Sequence, residues 1–157
     1  MRLGGNWGGE VNRDGIAAVA LPSLHHPLSY NDEAHLTLVY AGDDRDRADI
    51  TGLRRQVQYL ARTAAPFVAE IVGSELFGDD KDEPVLLLEH PQFKAMHNVL
   101  AQHDVSNWPY YRPHVAIPTF DGIQRMPKQV AFDRLGVWVG SHDRQNWWLG
   151  SGISTGV

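Results

Sequence analysis

The chain has 157 residues, 43% hydrophobic and 21% charged, which suits one domain with a sizeable core. It has no cysteine, which excludes disulfides, thiol catalysis and Cys-ligated zinc together. The formal net charge of −5 argues against tight, sequence-independent binding to long nucleic acid, which needs a basic surface, but leaves room for a local phosphate pocket.

No apolar run approaches the roughly 18 residues of a membrane span. The N-terminal "MRLGGNWGGEVNRDG" is polar and glycine-rich, with no signal-peptide core, which predicts a cytoplasmic protein. Its "GGNWGG" lacks the GK[ST] ending of a phosphate loop and follows no strand, so residues 1–13 read as a tail or a lid. "DGIAAVALPS" (14–23) is a short apolar run bounded by Gly15 and Pro22, a buried strand. "LHHPLSYND" (24–32) is a loop, and "AHLTLVYAG" (34–42) a strand rich in β-branched and aromatic residues. Residues 46–64 place Ile50, Leu53, Val57, Leu60 and Ala64 on one helical stripe, with Asp46 or Asp49 as cap.

"PFVAEIVGSELFG" (66–78) is a strand and a turn, "DDKDEP" (79–84) a solvated acidic loop, and "VLLLEH" (85–90) a strand. Pro91 opens a helix over 91–103, whose stripe is Phe93, Met96, His97 and Leu100. "RPHVAIP" (112–118) is a strand bracketed by prolines, and 131–150 two strands joined around 140–146. Consecutive strands without intervening helices favour an α+β fold with antiparallel pairing in a single domain, 1–157. The order is nearly duplicated, with one histidine-bearing strand in each half.

Residues i and i+2 of a strand share a face, so His35 lies with Thr37 and His114 with Ala116. Leu36, Leu38, Val115 and Ile117 take the opposite, core-facing side. Two histidines across a cleft suit acid–base chemistry, one ring neutral and one protonated near pH 7. On a phosphodiester one accepts a proton from the attacking oxygen and the other donates to the leaving oxygen, without a metal. The alternative for each is a structural histidine on an apolar strand.

"HLTL" (35–38) and "PHVAI" (113–117) resemble the two histidine motifs of the 2H phosphoesterase superfamily, which includes the LigT-like enzymes. The resemblance extends over most of the chain, through the strand 16–22, both helices, "YYRPH" and the closing "LGVWVGSHDRQNWWL". It implies a bilobal α+β fold, two pseudo-symmetric antiparallel sheets around a central groove with helices outside. It also implies metal-independent cleavage of 2′,3′-cyclic phosphates, 2′–5′ linkages or small cyclic nucleotides. His35 and His114 would be the catalytic pair and Thr37 a phosphate-binding hydroxyl; no cofactor is implied.

Ala116 departs from the pattern, because it stands where the family has Thr or Ser. A hydrogen bond to a charged group is worth roughly 1.5–3 kcal/mol, so its loss predicts about tenfold to a hundredfold in rate if nothing replaces it. Tyr110, Tyr111, Arg112, Ser141 and His142 are candidate replacement donors, Tyr111 first among them. Tyr40, Phe77, Trp108, Tyr110, Tyr111, Trp138, Trp147 and Trp148 are candidate base-stacking platforms, with core packing the alternative for Trp138 and for one of Trp147 and Trp148. Adjacent His25 and His26 would face opposite ways on a strand, and His90, His97 and His103 lack HExxH spacing, so no metal site is expected.

Within the resemblance, one substrate reading is processing of RNA ends or mononucleotide cyclic phosphates. The other is similar to phage anti-defence (anti-CBASS) members that degrade cyclic oligonucleotide signals. The acidic balance and single-domain length favour a small nucleotide over long RNA, and no membrane partner is expected. A module that sequesters a cyclic nucleotide without turnover and a purely structural domain are the readings from other classes.

Overall fold

Among the described residues, seven strands and two α-helices follow the glycine, proline and cap signals. The computed structural model describes residues 15–29, 33–106 and 109–156, so the expected tail or lid at 1–13 and Trp108 lie outside the described residues. The strands are β1 (Ile16–Pro22), β2 (Leu36–Tyr40), β3 (Phe67–Phe77), β4 (Glu83–Glu89), β5 (His114–Ala116), β6 (Gln129–Val139) and β7 (Asp143–Trp148). The expected acidic loop is shorter than 79–84, since Glu83 and Pro84 already pair with Phe77 and Leu76 in β4.

Helix α1 (Ile50–Thr63) starts at the second of its two expected caps. Asp49 Oδ1 accepts from the Gly52 amide at 2.9 Å, while Asp44 organises the preceding turn by accepting from the Arg47 and Ala48 amides. Leu53, Val57 and Ala61, spaced by four, form its buried face. Helix α2 (Pro91–Leu100) has Pro at its first position and His90 as cap, Nδ1 accepting from the Gln92 amide, and tightens into a 3-10 turn over Ala101–His103.

The strands form one antiparallel seven-stranded sheet in the order β1-β2-β5-β4-β3-β6-β7, with β1 also paired to β6. This is an α+β fold. Strand β6 serves both lobes: its residues 132–139 pair with β1 and its residues 129–132 with β3. The halves therefore meet through β6 and through the β2–β5 pair Leu36↔Val115, joining what would be two sheets into one.

One face carries the main core, where Leu36, Leu38, Leu86, Val115, Phe132 and Leu135 pack with Val57 of α1 and Phe93 of α2. The other face carries a smaller cluster of Ala17, Val19, Leu21 and Trp138, together with His35, Thr37 and His114. A register step between Ala18 and Val19 brings Val19 opposite Thr37, which keeps Thr37 on this second face.

Candidate active site

The Leu36↔Val115 pair sets the geometry of the site. Continuing its antiparallel register places Thr37 across from His114, and His35 across from Ala116. The two histidines are then diagonal neighbours, about 7–8 Å apart at the backbone. A local two-fold relates the halves, and each histidine faces the other strand's hydroxyl position.

The duplication extends into the side chains. His35 Nδ1–H donates to the Glu33 carbonyl, and His114 Nδ1–H to the Arg112 carbonyl, both at 2.6 Å. A carbonyl only accepts, so Nδ1 carries the proton in both rings and Nε2 holds the lone pair of the neutral form. Both Nε2 atoms are buried and have no hydrogen-bond partner among the described residues. As whole residues His35 and His114 are 1% and 3% exposed.

Each imidazole leans on an aromatic ring, and each aromatic ring lies under an arginine. His35 meets Trp138 at 4.8 Å between centroids, and His114 meets Phe77 at 4.5 Å, both tilted near 57° (56° and 57°). Arg144 covers Trp138 at 3.9 Å and Arg112 covers Phe77 at 5.0 Å. Arg144 is held by Glu33 through two bonds of 3.1 and 2.9 Å, and Arg112 by Glu75 through two of 2.7 and 2.9 Å. These arginines hold both glutamates below the usual carboxylate range.

Burial pushes both imidazoles down to about 4 from an ordinary value near 6.5. The carbonyl bonds to Nδ1 oppose that shift, and the neighbouring arginines reinforce it. His35 itself further lowers His114, consistent with the two rings feeling one another. Both rings are thus neutral at pH 7 in the free protein.

The remaining residues singled out in the sequence divide. Tyr111 is partly buried, stacks on His97 at 4.1 Å, and its hydroxyl donates to the Thr37 carbonyl at 2.8 Å. It braces the backbone of β2 behind the site, with the phenol pKa raised well above its ordinary value by burial. His97 completes this brace by donating Nδ1–H to the Leu38 carbonyl at 2.6 Å. Arg112 reaches the site through Phe77 and Glu75, whereas Tyr110 is exposed in the preceding loop.

His142 sits in the exposed β6–β7 turn. The register Ile16↔Val139 puts that turn at the end of β1 away from Ala20, which pairs with Leu36. The structure does not bring His142 to His35, and Trp108 lies outside the described residues. Trp147 is buried in the main core, and Trp148 lies on the opposite face of β7. Among the described residues no three His, Cys, Asp or Glu side chains are grouped to hold a metal ion.

Sequence reasoning missed Glu33, Glu75 and Arg144. One signal was present: each motif histidine follows, at i−2, a residue whose charge is paired with a side chain on a distant strand, Glu33 with Arg144 of β7 in one half and Arg112 with Glu75 of β3 in the other. The partners become visible only from the cross-strand register Trp138↔Arg144 and Glu75↔Val85.

Fold and site together define an α+β protein with paired histidines of fixed tautomer on adjacent strands. Residues 10–138 match the family model of the 2′-5′ RNA ligase superfamily, and the chain belongs to that superfamily, a group of 2H phosphoesterases. A similar solved structure is that of E. coli LigT complexed with 3′-AMP, at 15% identity and a TM-score of 0.50, covering 87% of this chain and 98% of that one. No curated protein matches the chain.

Proposed function

We propose that the chain is a metal-independent phosphodiesterase hydrolysing a small nucleotide phosphodiester, with His35 and His114 as the acid–base pair and Thr37 as a phosphate-binding hydroxyl. The duplicated histidine geometry carries this reading: two rings of fixed tautomer, each with an unpartnered Nε2, on diagonal positions of neighbouring strands.

A phosphodiester between the two Nε2 atoms meets a base on one side and an acid on the other. The neutral Nε2 takes a proton from water as the water oxygen bonds to phosphorus. The ester P–O bond breaks, and the leaving oxygen takes the proton carried by the other Nε2. One water is consumed, and the rings exchange protonation states until solvent resets them. Because burial keeps both rings neutral in the free protein, the acid's proton arrives with the substrate, whose negative charge favours the imidazolium.

The 3′-AMP in the LigT structure supports a nucleotide as ligand. The net charge of −5 supports a small ligand over long RNA, so cyclic oligonucleotide immune signals and mononucleotide cyclic phosphates rank ahead of RNA ends. The test is a panel of nucleoside 2′,3′-cyclic phosphates, 2′–5′-linked dinucleotides, and cyclic di- and trinucleotides, each with and without chelator. At least one should be hydrolysed in chelator and left intact by the His35→Asn, His114→Asn double variant. Full turnover by that variant would sink the reading. Ala116 favours a second reading, a module that binds the nucleotide without cleaving it; saturable binding of an unchanged ligand after long incubation would support that one.

A further inference from the structure

Beside His35, on the face opposite the main core, strands β1, β6 and β7 line an open cavity of about 390 Å3. It shares Trp138 and Arg144 with the His35 half of the site and is bounded by Ala34, the residue before that histidine. Its volume suits a nucleoside-sized ligand. Phe77 and Arg112, the corresponding residues of the other half, do not line this cavity.

The walls are planar. Along β7, Arg144, Asn146 and Trp148 share this face, spaced by two. Glu33 pins the Arg144 guanidinium, one side of which covers Trp138. The Trp148 indole, 42% exposed, stands at the far end with Arg134 over it at 6.0 Å. Leu21 and Pro22 make the side apolar. Rings stack on indole faces and on guanidinium planes of this kind. Both arginines already have acidic partners, Glu33 and Asp133, so a neutral ring suits the cavity better than a second anion.

Between these walls lies a polar group of fixed orientation. Trp138 Nε1–H donates to Asn146 Oδ1 at 3.0 Å. An indole nitrogen only donates, so the amide can present only its oxygen to Trp138, which leaves the Nδ2 hydrogens for the cavity. No described residue accepts from Nδ2. Gly136 makes this reach feasible, because a Cβ there would overlap Asn146 Oδ1 and crowd Trp138 Nε1.

We propose that this cavity is a nucleobase subsite, in which the Asn146 amide donates to a carbonyl or ring-nitrogen acceptor on a base stacked against Arg144 or Trp148. The inference deepens the phosphodiesterase reading by naming the arm of the substrate that selects it. It is tested with nucleosides, which carry no phosphodiester, so its failure is separable from failure of the catalytic reading.

Adenosine, guanosine, cytidine and uridine are titrated into the full chain, with tryptophan fluorescence and calorimetry as readouts. At least one should bind saturably. Asn146→Asp keeps an oxygen for Trp138 and removes the donor, so it should weaken the best nucleoside about 3- to 10-fold, the range of one hydrogen bond. Gly136→Ala should weaken it similarly by displacing the amide. The His35→Asn, His114→Asn double variant should bind it within twofold of the wild type. Absence of saturable binding by all four nucleosides, or wild-type affinity in a folded Asn146→Asp variant, would overturn the subsite. Nucleoside binding without any phosphodiester hydrolysis would leave the subsite standing and remove the catalytic reading instead.

Discussion

Neutral buried histidines make stability depend on pH in a defined window. A histidine in the unfolded chain binds a proton below about pH 6.5, whereas His35 and His114 in the folded chain bind one only near 4. Between those values the unfolded state holds more protons, so stability falls as pH drops through the window and levels off below it. At pH 5 the loss is about 2 kcal/mol per ring, or roughly 4 kcal/mol for the pair. That is a large share of the roughly 5–15 kcal/mol expected of a domain. Glu33 and Glu75, held low by their arginines, do not contribute above their ordinary range near 4.5, so the interval from 6.5 to 5 isolates the imidazoles.

The perturbation is His35→Asn with His114→Asn. An asparagine amide can keep the donor that bonds to the i−2 carbonyl and removes the titrating nitrogen. Urea denaturation at pH 7, 6.5, 6, 5.5 and 5 gives stability for both proteins. The wild type should lose about 4 kcal/mol more than the variant between pH 7 and pH 5. Nitrogen-detected NMR of the imidazoles should meanwhile show two rings still neutral at pH 5.5, protonated on Nδ1. Parallel pH profiles for the two proteins, or rings titrating near 6.5 as the Nε2–H tautomer, would refute the burial argument.

Two further outcomes follow from the geometry. Ala116→Ser puts a hydroxyl across from His35, in the place equivalent to Thr37 across from His114, and should raise kcat/KM about tenfold or more on the best substrate; an unchanged or lower value means another donor already holds that side of the phosphate. Tyr111→Phe removes the bond to the Thr37 carbonyl and should cost about 1 kcal/mol in urea denaturation while kcat stays within a few-fold, whereas a hundredfold fall in kcat at unchanged stability would make the phenol a direct phosphate donor.

The elements were legible because their signals are local. Pro91 at the start of the second helix, Asp49 with the Ile50-Leu53-Val57-Leu60-Ala64 stripe, and the prolines that bracket 112–118 each lie within a few residues. The His35 and His114 strands were legible for the same reason. The surroundings of the histidines were not, because they depend on register between distant segments. Arg144 reaches Glu33 over 111 residues, and Trp138 meets His35 only because β6 pairs with β1, which in turn pairs with β2. Tyr111 illustrates the limit. Its place one step before Arg112 suggested a groove donor, but strand parity does not extend into the loop before β5, and the ring turns behind β2 to stack on His97.

Symmetry leaves one question about the chemistry that only asymmetry answers. If the two halves were identical, a phosphodiester could enter in either direction, and each direction would exchange the acid with the base. Two differences break the equivalence. Thr37 has its hydroxyl where the other half has Ala116, and the 390 Å3 cavity with Asn146 lies only beside His35. Across β2 and β5, Thr37 faces His114, while the cavity flanks His35 on its other side. A nucleoside seated in that cavity would run its phosphate away from Asn146, past His35 and toward the hydroxyl of Thr37. On the proposed reading His35 then stands nearest the ester oxygen of the gripped nucleoside, and His114 serves the oxygen beyond phosphorus. Replacing each histidine alone and following a substrate with an activated leaving group on the nucleoside side separates the two. The His35→Asn variant should be rescued by that substrate, because a good leaving group needs no proton, whereas the His114→Asn variant should stay slow. Equal rescue of both variants would mean that the substrate binds in both directions and that neither asymmetry selects one.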